Sequence, residues 1–147
     1  MLSDLYQDII VDHTRSPRNY GKLDCASHHA EGHNPLCGDQ LELFLHVNDQ
    51  GVIEDLSFTG SGCSISTASA SLMTEALKGK TLKQAEALFE HFHALLTQEN
   101  AEASEDLGKL IVFMGVKDYP SRVKCATLAW HTLQAALKRQ AGLVSTE

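Results

Sequence analysis

The run Leu41-Glu42-Leu43-Phe44-Leu45-His46-Val47-Asn48-Asp49-Gln50-Gly51-Val52-Ile53-Glu54-Asp55-Leu56-Ser57-Phe58 decides the fold. Its first seven residues put Leu41, Leu43, Leu45 and Val47 on one side and Glu42, Phe44 and His46 on the other, the period-two pattern of a half-buried strand. Asn48-Asp49-Gln50-Gly51 supplies turn chemistry. Val52, Glu54, Leu56 and Phe58 then continue the alternation, so an antiparallel hairpin is expected. Upstream, His28 to His33 reads as a third strand on a weak hydrophobic pattern.

Downstream of Gly60-Ser61-Gly62 the period changes. Ile65, Ala68, Leu72 and Ala76 follow helical spacing, and Gly79 stands where a helix-ending glycine belongs. Thr81 to His93 and Leu107 to Gly115 read as two more helices, separated by the acidic stretch Glu99 to Asp106. The last helix carries Val123, Ala126, Trp130, Leu133 and Leu137 at steps of three and four, with Pro120-Ser121 as its start signal. Leu5, Tyr6, Ile9 and Ile10 make an opening amphipathic helix over Leu2 to His13, which Arg15-Ser16-Pro17-Arg18-Asn19 breaks. Strands in the first half and helices in the second predict an α+β domain, with helices on one face of a small sheet.

The chain has 147 residues, 43% hydrophobic and 21% charged, which suits one folded domain with its own core. A formal charge of -7 argues against a nucleic-acid partner, whose binding proteins carry clustered basic faces. The longest apolar runs fall far short of the roughly 20 residues needed to span a bilayer. Met1-Leu2-Ser3-Asp4-Leu5 has no basic region before an apolar one, so it does not read as a secretory signal, and a cytoplasmic location is expected.

In a reducing compartment the four cysteines are metal ligands, redox thiols or core residues rather than disulfides. Three stand in reactive settings. Cys37 lies in Asn34-Pro35-Leu36-Cys37-Gly38-Asp39, Cys63 follows Gly60-Ser61-Gly62, and Cys125 ends Tyr119-Pro120-Ser121-Arg122-Val123-Lys124-Cys125. Cys63 and Cys125 fall at expected helix starts, where free N-H groups favour thiolate. With the Asp39 carboxylate, the three sulfurs make four donors, the number that fills a tetrahedral zinc shell. Against this, Asp39 alone reads as a turn residue and each cysteine alone as a small buried apolar group. Cys25 has no such context and reads as a bystander. His91 and His93 are two apart on a helix and do not share a face, so they are poor joint ligands. His28, His29 and His33 lie near Cys37 in sequence and read first as part of a solvated loop, or else as groups that support the metal ligands from outside, and His131 is expected to face outward.

With these residues in view, the chain resembles the iron-sulfur assembly proteins of the IscU/NifU N-terminal type, and within them the SufU branch. The resemblance runs over nearly the whole length. It rests on Leu5-Tyr6 through Asp12-His13, Pro17-Arg18-Asn19-Tyr20-Gly21, Asn34 through Asp39, Gly60-Ser61-Gly62-Cys63-Ser64-Ile65-Ser66 and Lys124-Cys125-Ala126-Thr127-Leu128-Ala129-Trp130. It implies a three-stranded antiparallel sheet with helices on one face, a single domain over 1-147, and convergence of Cys37, Asp39, Cys63 and Cys125 at one exposed end. Scaffold-type members carry histidine directly before the third cysteine; this chain has Lys124, a cation and a poor ligand. The branch also carries an insertion before that cysteine, which the long stretch within about 79-119 matches, and Arg122 fits its pattern.

The resemblance thus implies a zinc-dependent, sulfurtransferase-like acceptor. Cys37 would take sulfur from a pyridoxal-phosphate cysteine desulfurase of the SufS type, for delivery to downstream SUF assembly proteins. Asp39, Cys63 and Cys125 would hold the metal, with Arg122 beside the site. The alternative is a scaffold on which the same residues carry a transient [2Fe-2S] cluster. A purely structural zinc is less expected, because such sites are usually all Cys and His.

Overall fold

The computed structural model describes residues 2-24, 26-35, 38-98, 105-138 and 143-145. Cys25 and Cys37, and most of the acidic stretch after α3, lie outside the described residues. Element order is α1 (Leu2–Arg15), β1 (His28–Asn34), β2 (Asp39–Val47), β3 (Ile53–Ser61), α2 (Ser64–Leu77), α3 (Leu82–Thr97), a 3-10 segment (Glu105–Val116), α4 (Pro120–Leu137) and β4 (Leu143–Ser145).

The three expected antiparallel strands are present, in the sheet order β3-β2-β1-β4. The short β4 is an addition to the expected sheet, pairing parallel to β1 from Glu31 to His33. Leu41, Leu43 and Leu45 are buried on the helical side as the alternation requires. The alternation of β3 is interrupted. Val47 pairs with Ile53 while His46 pairs with Asp55, so a bulge at Glu54 shifts the phase. Ile53, rather than Val52, therefore joins Leu56 and Phe58 in the core, and Val52 instead bridges to Thr81.

α4 packs on β1 and β2, α2 on β3 and α4, and α1 on α2. The approach of α4 to β1 is close enough that a side chain at Gly32 would collide with Thr132 and would press on Leu128 at 3.1 Å. Trp130 is fully buried, stacked on Phe92 with ring centroids 4.9 Å apart, and Phe92 meets Phe113 edge-on at 5.8 Å. These rings join α3, α4 and the 3-10 segment.

The α-helix expected over Leu107 to Gly115 is instead a run of 3-10 turns, broken by Gly108 at φ 51°. Leu107, Leu110, Phe113 and Val116 are buried at every third position, with Val112 buried beside Phe113; the four-residue series suits three residues per turn rather than 3.6. His131 also departs from expectation. It is half-buried against Phe89 and His93, with ring centroids at 5.5 and 5.9 Å.

His13 locks α1 to α2: it is 1% exposed, and its Nδ1 lies 2.6 Å from Ser71 Oγ. Ser71 Oγ also accepts the Arg18 amide N-H. Burial pushes the His13 pKa below its ordinary 6.5, with Arg18 adding in the same direction and Glu75 opposing. His131 is lowered too, by burial and by His93. A folded-state pKa below the unfolded one means the unfolded chain binds more protons as pH falls. The stabilisation is complete above about pH 6.5 and is lost as pH drops below it. Thermal unfolding should show a lower midpoint at pH 5 than at pH 7.5, and His13→Asn should shrink the difference. A midpoint that held or rose on acidification would contradict this.

Candidate metal centre

Three elements deliver three donors to one end of the sheet. Asn34 and Asp39 form the last β1-β2 pair. Gly38 takes φ 70°, a left-handed conformation suited to glycine, where the chain turns into β2. Asp39 is fully buried. β3 ends at Ser61, opposite Gln40, and the chain turns through Gly62 into α2, whose N-cap is Cys63.

Gly62 is small because Asp39 lies against it. A Cβ there would collide with Asp39 Oδ1 and would stand 3.1 Å from Asp39 Cα and Cβ. Asp39 Oδ1 accepts the Cys63 backbone N-H at 2.7 Å, and Oδ2 lies 3.9 Å from Cys63 Sγ. The aspartate is therefore tied to a residue 24 positions away, beyond the reach of a local turn. Cys125, 2% exposed, arrives from α4, which packs on both α2 and β1. One ligand atom each from Asp39, Cys63 and Cys125 lies within 4.8 Å of the others.

This donor set fits zinc. With bond lengths of roughly 2.0-2.3 Å, neighbouring ligands of a tetrahedral ion stand about 3.5 Å apart, and Cys63 Sγ and Asp39 Oδ2 are 3.9 Å apart here. Among the described residues the set supplies three of the four donors that a tetrahedral ion takes. His29, Glu31 and Glu42 form a second grouping on the outer sheet face, but it is exposed on β1 and His29 is already bonded to Glu42 at 2.8 Å. Only the first set is removed from competing water.

The expectation of preformed thiolates at helix starts needs correcting on both counts. α4 begins at Pro120, so Cys125 lies in its second turn, beyond the free N-H groups of the terminus. Cys63 does cap α2, with its sulfur accepting the Ser66 N-H at 3.4 Å. Burial nevertheless pushes the Cys63 pKa above 9.0; the Ser66 N-H opposes this, and the Asp39 charge adds to it. A bound cation, rather than the helix end, is what this site needs to hold Cys63 as thiolate.

The other sequence candidates separate clearly. Arg122 is exposed, with its guanidinium 4.9 Å from the Tyr119 ring centroid, held by that ring rather than by the three donors. His29 and His33 face the opposite side of the sheet, and His28 bonds Ser27 at the far end of β1. Asn34 and Gly62 were read only as motif neighbours in the sequence, although both touch Asp39. Gly62→Ala should push the Asp39 carboxylate aside without removing any donor. We expect the protein to stay folded and to lose zinc to a competing chelator about tenfold faster, the lower end for disturbing an outer partner. Unchanged release would remove Gly62 from the account.

The family described as NifU-like N terminal domain matches residues 5–126. Two curated relatives are each 40% identical. One, from Streptococcus pyogenes serotype M1, is an "Iron-sulfur cluster assembly scaffold protein IscU", aligned over 95% of this chain and 87% of its own. The other, from Bacillus subtilis (strain 168), is a "Zinc-dependent sulfurtransferase SufU", aligned over 96% and 95%. A crystal structure described as a hypothetical protein superposes with TM-score 0.85 at 39% identity, covering 93% of this chain and 99% of its own.

Proposed function

The chain belongs to the NifU-like N-terminal domain family of iron-sulfur cluster assembly proteins, and from that premise we propose that it is a zinc-dependent sulfur acceptor. Its donor is the persulfide of a pyridoxal-phosphate cysteine desulfurase, and its products are the SUF assembly steps that consume sulfur. One observation carries this reading: among the described residues, Asp39, Cys63 and Cys125 lie together and largely buried, three donors of the kind that bind zinc. Lys124, immediately before Cys125, adds no fifth ligand. The zinc-dependent relative from Bacillus subtilis supports the same reading.

In this assignment Asp39, Cys63 and Cys125 hold the metal, and Cys37, two residues before Asp39, completes the set and reacts. Zinc, when bound, supplies positive charge that keeps the sulfurs deprotonated. The Cys37 thiolate attacks the terminal sulfur of the donor persulfide. A new S-S bond forms on Cys37, the donor S-S bond breaks, and the desulfurase cysteine leaves as thiolate, with no net oxidation. Arg122, exposed beside the start of α4, is the cation we assign to steady the departing thiolate.

A second reading, a transient [2Fe-2S] scaffold, has the Streptococcus pyogenes relative in its favour, and thiolates serve iron as well as zinc. The two separate in one experiment. Zinc-loaded protein is mixed with desulfurase charged by one equivalent of cysteine, then alkylated and digested. The sulfur-acceptor reading expects one extra sulfur on the peptide carrying Cys37. Sulfur that stays on the desulfurase would sink it.

A further inference from the structure

We infer that Asn34 is the positioning residue of this centre, joining the Asp39 carboxylate to the Cys125 sulfur through one side-chain amide. The inference rests on the metal-binding part of the preceding reading. Asn34 is fully buried. Its Nδ2 donates to Asp39 Oδ2 at 3.3 Å and to Cys125 Sγ at 3.4 Å. These acceptors come from β2 and from α4, separated from Asn34 by 5 and 91 residues. The amide orientation follows from the partners, since a carboxylate and a sulfur both call for the nitrogen.

The fold places Asn34 there by a chain of small steps. Ala30, Gly32 and Asn34 alternate onto the helical side of β1. Gly32 lets α4 settle against the strand at Leu128 and Thr132. Two residues along β1, and about one turn back along α4, Asn34 then meets Cys125. Its partners also explain the residue type. A carboxylate at this position would add charge beside Asp39, and a lysine or arginine would pair with Asp39 and compete with the metal. Asparagine donates two N-H groups and brings no charge.

An N-H group donated to a metal-bound thiolate withdraws electron density from the sulfur and fixes its direction. Asn34 thus sets how tightly Cys125 and Asp39 hold as a pair. The probe is cobalt(II) in the full chain, with zinc release measured in parallel. Asn34→Leu, close in size and without donors, should move the sulfur-to-cobalt charge-transfer band to longer wavelength and speed zinc release about tenfold or more. A folded variant with both values unchanged would overturn the inference. A second measurement needs no substitution. In cadmium-113-loaded wild-type protein, the Asn34 side-chain amide should show coupling to the metal across the N-H···S bond. Absence of that coupling, with Cys125 itself coupled, would also overturn it. If the wild-type protein showed no thiolate-cobalt band, both this inference and the metal assignment would fall. Failure of sulfur uptake with the band intact would remove only the acceptor function.

Discussion

Cys37→Ser should reduce sulfur uptake from a charged desulfurase by more than about 1,000-fold, the scale of loss expected when a nucleophile is deleted. Serine keeps the size of the side chain but is not ionised at neutral pH, and an alcohol does not open a persulfide bond as a thiolate does. The effect should be chemical rather than structural. Position 37 is not among the residues paired in the β1-β2 ladder, which closes with Asn34 and Asp39, so circular dichroism and the thermal midpoint should stay near wild type. Cys63→Ser provides the contrast: it removes a capping sulfur and a metal donor together, and should lose zinc as well as sulfur uptake. If Cys37→Ser still accepted sulfur at the wild-type rate, the assignment of the reacting thiol would be wrong.

Asp39→Ala should weaken zinc retention by at least about 100-fold, beyond the 10- to 100-fold typical of an outer partner, and sulfur acceptance should fall with it. The same substitution costs stability in the metal-free protein. The Cys63 N-H loses its carboxylate acceptor, while the Asn34 amide keeps the Cys125 sulfur, and a donor deprived of its acceptor costs about 1-3 kcal/mol. Asp39→Asn separates the two effects. It preserves an acceptor oxygen for the Cys63 N-H while removing the charge, so most of the folding stability should return and most of the zinc affinity should not. On the scaffold reading the outcome differs in kind. The carboxylate is the hardest and most exchangeable donor of the set, and its loss would slow the departure of a bound cluster. Chelator competition on the zinc-loaded variants, alongside their thermal midpoints without metal, distinguishes these cases.

The fold was legible where the pattern had the right period. Leu41, Leu43 and Leu45 entered the core by simple alternation. Ile53 did not announce itself, because the bulge at Glu54 is set by pairing with β2 rather than by composition. The repeat Leu107, Leu110, Phe113, Val116 is visible in the sequence, but steps of three fit an α-helix nearly as well as a 3-10 helix over so short a run. β4 covers only Leu143–Ser145, too short to carry a periodic signal.

For the centre, local context singled out Asp39, Cys63 and Cys125, and the tertiary fold places a ligand atom of each within 4.8 Å of the others. What local context misjudged was the protonation of Cys63. A helix N-cap suggested an easily ionised thiol, while burial beside Asp39 works the other way. Asn34 was hidden for a different reason. Its strand is rich in histidine and weak in hydrophobic alternation, so its inward face became visible only with α4 packed against it.

Native mass spectrometry of protein purified without oxygen, before and after incubation with a cysteine desulfurase and cysteine, tests the central claim most directly. One zinc per chain is expected before incubation, and that zinc plus one additional sulfur after it. Iron and sulfide in equal numbers, or zinc with no added sulfur, would contradict it.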